Sequence, residues 1–142
     1  MKFFFLLFLF ILACGEDNPS QGIPDMGADL GEVDNYPEVS FKNDIAPLFR
    51  NSCLLSGCHG ENPAVSTFSV PAGLNATPAD IEAAIKNAKA SDNSLLISPG
   101  KPSKSRIVIR ALAEENRMPP LSQLPIKQRN DLNFWVAQGA KY

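Results

Sequence analysis

Cys53-Leu54-Leu55-Ser56-Gly57-Cys58-His59 holds two of the three cysteines and the only histidine of this 142-residue chain. A thiol pair followed at once by an imidazole suits covalent haem attachment, with two sulfurs for the porphyrin vinyl groups and a nitrogen for the iron. The usual spacing for that chemistry is C-x-x-C-H, whereas here the pattern is C-x-x-x-x-C-H. Cysteines three apart share one helical face and cysteines five apart do not, so the segment is not regular helix throughout. Ser56 and Gly57 are the natural place for the irregularity, because glycine reaches positive φ without steric cost.

The same chemistry asks for a second iron ligand far along the chain. Arg117-Met118-Pro119-Pro120 offers the thioether of Met118. The proline that follows excludes Met118 from the helical region, and the proline pair stiffens the loop that presents it. Imidazole with thioether is the ligand pair of electron-transfer haems.

Four segments together resemble a small class I c-type cytochrome domain of the kind found in bacterial lipoproteins. They are Val39 to Phe49 before the cysteines, Gly57-Cys58-His59-Gly60, the Met118-Pro119-Pro120 loop, and Phe134 to Ala140 near the end. The likeness covers residues 40–142. It implies an all-α fold, a cytochrome c-like bundle of about four helices around one covalent haem c, with the last helix crossing the first. By the same likeness Cys53 and Cys58 match the thioether positions, His59 the proximal ligand and Met118 the distal one. The loop after the histidine is implied to offer a backbone carbonyl to Nδ1, leaving Nε2 for iron. The implied function is electron transfer with redox partner proteins, not enzymatic catalysis.

Two other readings of the same residues stand beside it. In one, the chain is an exported lipoprotein without haem, with Cys53 paired to Cys58 and Met118 filling a core gap. In the other, Met118 stays off the iron, and a five-coordinate haem senses a diatomic ligand or acts on peroxide. Zinc is poorly served for want of a fourth ligand. No Ser-His-Asp set, phosphate-binding glycine loop or G-x-G-x-x-G fingerprint is present, and nothing points to nucleic acid.

The rest of the chain must carry and position these groups. Met1-Lys2 is followed by an apolar run from Phe3 to Ala13, about 16 Å long if helical, against a hydrocarbon core of about 30 Å. Residues 1–13 therefore read as a signal peptide. Ile11-Leu12-Ala13-Cys14 resembles a bacterial lipobox, which makes Cys14 the candidate lipid anchor, in the cell envelope and facing the periplasm. Gly15 after that cysteine favours the outer membrane. One thiol is thus assigned to lipid and two to haem.

Residues 14–39 read as an acidic disordered linker. Positions 15–39 hold seven acids and no Lys or Arg, whereas positions 40–142 hold 12 basic residues against eight acids. Within the domain, Asn43 or Asp44 is expected to start the first helix, with Pro47 in its opening turn and Ile45, Leu48 and Phe49 on its apolar face. Thr77-Pro78 is expected to start a second helix carrying Ile81, Ala84, Ile85 and Ala88. Ser103 is expected to cap a third, which buries Ile107, Ala111 and Leu112. Pro125 opens the last helix, which runs to about Gln138 with Leu132, Trp135 and Val136 as its apolar stripe. Lys101, Lys104, Arg106, Arg110 and Arg117 gather before the methionine loop, either as a solvated helix face or as a rim that steers acidic partners.

Overall fold

The computed structural model describes residues 36–61 and 68–142. The signal peptide, Cys14 and the linker up to residue 35 lie outside the described residues. Those described form helices and turns, with no strand among them and one isolated bridge between Lys89 and Leu95. The domain is all-α, as expected.

Three contiguous helical segments, Phe41–Ile45, Ala46–Leu48 and Phe49–Cys53, join into the first helix, α1. It starts before the expected Asn43 or Asp44, because Ser40 is the working cap. The Ser40 hydroxyl accepts the Asn43 amide at 3.2 Å, and the Asp44 carboxylate accepts the Ser40 amide at 2.9 Å. Pro47 consequently falls beyond the opening turn, where it can donate no amide and would crowd the carbonyl four residues back. The helix is π-wound on both sides of it. The wider turns bring Phe41, Ile45, Ala46, Leu48 and Phe49 all into the core.

Helix α2, Pro78–Ile85, begins where its sequence signal lies. Thr77 accepts the Asp80 amide, and the Asp80 carboxylate accepts the Thr77 amide at 2.8 Å, a reciprocal capping box. Ile81 and Ile85 are fully buried. The helix stops before Ala88, whose carbonyl instead accepts the Leu96 amide at 2.9 Å across a tight turn. Exchanging Thr77 for alanine is expected to cost about 1 kcal/mol, the usual worth of an N-cap. Urea denaturation checks this as a lower midpoint at unchanged slope.

Helix α3, Arg106–Leu112, keeps its β-branched Ile107-Val108-Ile109 run in helical form. Ser103 does not cap it, but lies in a single 3₁₀ turn, Pro102–Lys104. Ser105 takes the flanking position and is fully buried, where its hydroxyl accepts the Ser98 amide at 2.8 Å. That shift of frame buries Val108 and Ala111, leaving Ile107 and Leu112 only partly covered.

Helix α4, Ile126–Ala137, is opened by Pro125 and ended at Gln138, with Gly139 at φ +99°. Leu132, Trp135 and Val136 are buried as expected, but so are Asp131, Asn133 and Phe134. The second face has its own cover. Tyr36 stacks on Phe134 with ring centroids 3.8 Å apart, and its hydroxyl donates to Asp131 at 2.9 Å. Lys127 also reaches Asp131, at 2.7 Å. Gln138 accepts the Val39 amide and donates to the Pro37 carbonyl. Residues 36–39, assigned to the linker by composition, are thus docked on α4.

The first and last helices meet through Phe41 and Trp135, with centroids 5.5 Å apart, and Tyr142 packs edge-on against both rings. Trp135 buries its indole without losing a hydrogen bond, since Nε1 donates to the Lys141 carbonyl at 2.8 Å. Helix α3 also packs on α4. This frame fixes the end of α1, where the chemistry begins.

Candidate haem site

Cys53 is the last residue of α1, and Leu54 leaves helical geometry at φ −92°, ψ 26°. The chain then makes a closed loop. Cys58 donates its amide to Leu55 at 3.0 Å, Gly57 donates to Glu61 at 3.2 Å, and His59 donates back to the Cys53 carbonyl at 3.2 Å. Gly57 sits at φ +78°, the conformation that its place in the sequence suggested. The two extra residues are therefore absorbed as a loop, and His59 returns to the end of the helix that carries Cys53.

Gly60 holds this loop down. A Cβ there would run into the Leu54 carbonyl, so only glycine allows the two backbones to approach as they do. Leu54 itself is buried beneath the loop.

Cys53 is half-buried and Cys58 exposed, and both are free thiols. Burial, helped by the nearby Cys58, pushes the Cys53 thiol up to about 12. At neutral pH it stays protonated, which suits neither a thiolate metal ligand nor a spontaneous nucleophile.

His59 is held at its backbone and at its ring. Its carbonyl accepts the Val70 amide at 2.7 Å, and Nδ1 lies 3.1 Å from the Phe68 carbonyl. A carbonyl can only accept, so Nδ1 carries the proton and Nε2 the lone pair. Burial lowers the His59 pKa from its ordinary 6.5, with the Phe68 carbonyl opposing in part, so the ring is neutral at pH 7. The sign for stability follows. Below pH 6.5 the unfolded chain takes up a proton that the folded ring resists, so haem-free protein is expected to lose stability as pH falls from 6.5 through the lowered folded value. Urea titrations of wild type and His59→Gln across this window check it, the variant having a shallower slope.

Met118 lies in the loop between α3 and α4, out of helical geometry as its proline neighbour requires. The Arg110 carbonyl accepts its amide at 2.9 Å, tying the loop to α3, and the side chain is 36% exposed. The expected basic cluster is not one exposed face. Arg106 pairs with Asp92 at 4.0 Å, and Arg117 donates to the Glu114 carbonyl at 3.2 Å. Lys101 and Lys104 are exposed.

These residues fit a haem on three counts. The thiol pair is not disulfide-bonded and adjoins an imidazole whose tautomer, with the proton on Nδ1, puts the lone pair on Nε2. The two loops with the expected ligands also expose apolar side chains, Leu55 at 43% and Leu121 at 93%, surface that a porphyrin would cover. The Nε atoms of Arg117 and Arg129 are buried without hydrogen-bond partners, next to Met118 in sequence and in the first turn of α4, which suits an acidic group nearby. Among the described residues no group of three or more His, Cys, Asp or Glu side chains is placed to hold a metal ion in the manner of a zinc cage.

Phe68 was not legible as a site residue. It follows a stretch of breakers, and the one hint was the carbonyl that the resemblance implied somewhere after the histidine. Comparison of the chain with protein-family models, with curated proteins and with solved structures returns no match.

Proposed function

We propose that this chain is an electron-transfer protein whose domain over residues 40–142 holds one covalent haem c in a cytochrome c-like bundle. Cys53 and Cys58 are the attachment thiols, His59 the proximal ligand and Met118 the distal one. The observation that carries the reading is the hydrogen bond from His59 Nδ1 to the Phe68 carbonyl, made directly beside a free cysteine pair. That bond holds the ring and keeps the proton on Nδ1, so Nε2 is the nitrogen with a lone pair to offer a metal in this reading.

The haem supplies a one-electron couple, and the chain's residues set its potential and access. His59 presents a neutral nitrogen. Met118 presents a weakly basic thioether, which favours the ferrous state and raises the potential. Buried Leu54 and Phe49 beside the site lower the local polarity, which disfavours the extra charge of the ferric state. No side chain is required to move a proton. The reading extends to a lipid on Cys14, a place in the bacterial cell envelope facing the periplasm, and redox partner proteins as donor and acceptor.

A second reading draws on the 36% exposure of Met118. A thioether not locked in the core can stay off the iron, leaving a five-coordinate haem open to small ligands.

The test is a haem-stained denaturing gel of protein made alongside haem-attachment machinery, boiled with reductant. Wild type is expected to stain and the Cys53→Ala, Cys58→Ala double variant to lose the stain. Equal absence of stain from both overturns the proposal.

A further inference from the structure

The Phe68 ring lies parallel to the His59 imidazole, with centroids 4.0 Å apart and planes inclined by 6°. The carbonyl of the same residue accepts from Nδ1 at 3.1 Å. One residue thus meets the imidazole twice, at its edge through the main chain and on its face through the side chain. Phe68 is itself backed by the buried Phe49, edge-on at 6.3 Å and 68°. Val70, two residues on, is tied to the His59 carbonyl at 2.7 Å.

We infer that Phe68 is a positioning residue that locks the rotation of the His59 ring about its metal-directed axis, and so selects which iron orbital the imidazole overlaps. A histidine χ2 well is broad, and a hydrogen bond along the ring edge does not by itself fix the tilt of the ring plane. A parallel ring in van der Waals contact removes that freedom, because tilting the imidazole drives one edge into the phenyl face. Fixing the plane splits the two iron orbitals of π symmetry in a set direction. It also keeps the ligand geometry the same in both oxidation states, so little reorganisation accompanies electron transfer. The inference rests on the haem reading above.

The test uses full-length haem-loaded protein and two spectra. In the ferrous, diamagnetic wild type, nuclear Overhauser contacts are expected between the Phe68 and His59 ring protons. In ferric Phe68→Leu, which keeps the carbonyl but loses the ring, the order of the paramagnetically shifted haem-methyl resonances is expected to change. Phe68→Tyr restores the wild-type order. Loss of packing alone lowers the melting temperature without reordering those resonances. A wild-type order in Phe68→Leu overturns the inference, and so does absence of the ring contact in wild type, a result that stands even if the leucine variant does not accumulate. Colourless protein overturns the haem reading itself. Coloured protein without the contact overturns only the role of Phe68.

Discussion

Met118→Leu in the haem-loaded protein is expected to lower the midpoint potential by about 100 mV or more, within the roughly 0.8 V that axial ligation spans across haem proteins. It is also expected to abolish the sulfur-to-iron charge-transfer band of the ferric form. Thioether ligation favours ferrous iron, and leucine offers no donor in its place. The change should barely touch the fold. Met118 is 36% exposed, and its loop is tied to α3 by a backbone amide that any residue but proline supplies. A Met-to-Leu exchange at such a place costs less than about 1.5 kcal/mol. Redox potentiometry with melting curves separates the two effects. An unchanged potential and a band equally present or absent in both proteins would place Met118 off the iron and favour the five-coordinate reading.

Gly60→Ala is expected to have the largest effect on stability of any glycine-to-alanine exchange among the described residues. The added carbon meets the Leu54 carbonyl, which belongs to backbone and cannot swing away as a flexible side chain would. Relief requires the Cys53–His59 loop to lift off Leu54, itself buried at 1% exposure. Overpacking of this kind costs about 1–3 kcal/mol, and rigid backbone on both sides puts Gly60 at the upper end. For a domain of this size that is a fall of roughly 10–20 °C in melting temperature. Gly57→Ala is the control. At φ +78° it meets no neighbouring atom, so its cost is conformational strain alone, about 1 kcal/mol. Equal melting temperatures for the two variants would contradict the loop packing described here.

The helix starts that announced themselves in the sequence were those with a complete local signal. Thr77-Pro78-Ala79-Asp80 carries both halves of a capping box and a proline at the first helical position, and α2 begins there. Pro125 and Gly139 bracket α4 in the same way. Where two serines or two asparagine-like residues competed, local reasoning chose wrongly. Ser40 beat Asn43 because Asp44 answers it, and Ser105 displaced Ser103 because burial let its hydroxyl serve Ser98. The second buried face of α4 was hidden because Asp131 and Asn133 are polar. Asp131 is covered by Tyr36, 95 residues away, and no helical period reports such a contact.

The candidate site divides along the same line. Cys53, Cys58, His59 and Met118 stood out by residue type, and Gly57 by its conformational freedom. The π winding that ends α1 at Cys53, and the carbonyl and ring of Phe68, arise from the folded path of the chain and have no fixed spacing to read. The spacing of the cysteines excludes a regular helix through the segment, and the helix does end at Cys53, before the loop that folds His59 back to the Cys53 carbonyl.

The most direct measurement is the mass of one peptide. Trypsin cutting after Arg50 and Lys86 releases a fragment that contains Cys53, Cys58 and His59 and no other cysteine. From protein made in a host able to attach haem, this fragment is expected to weigh its own mass plus one haem and to absorb visible light. The bare peptide mass, with two thiols or one disulfide and no colour, would contradict the account.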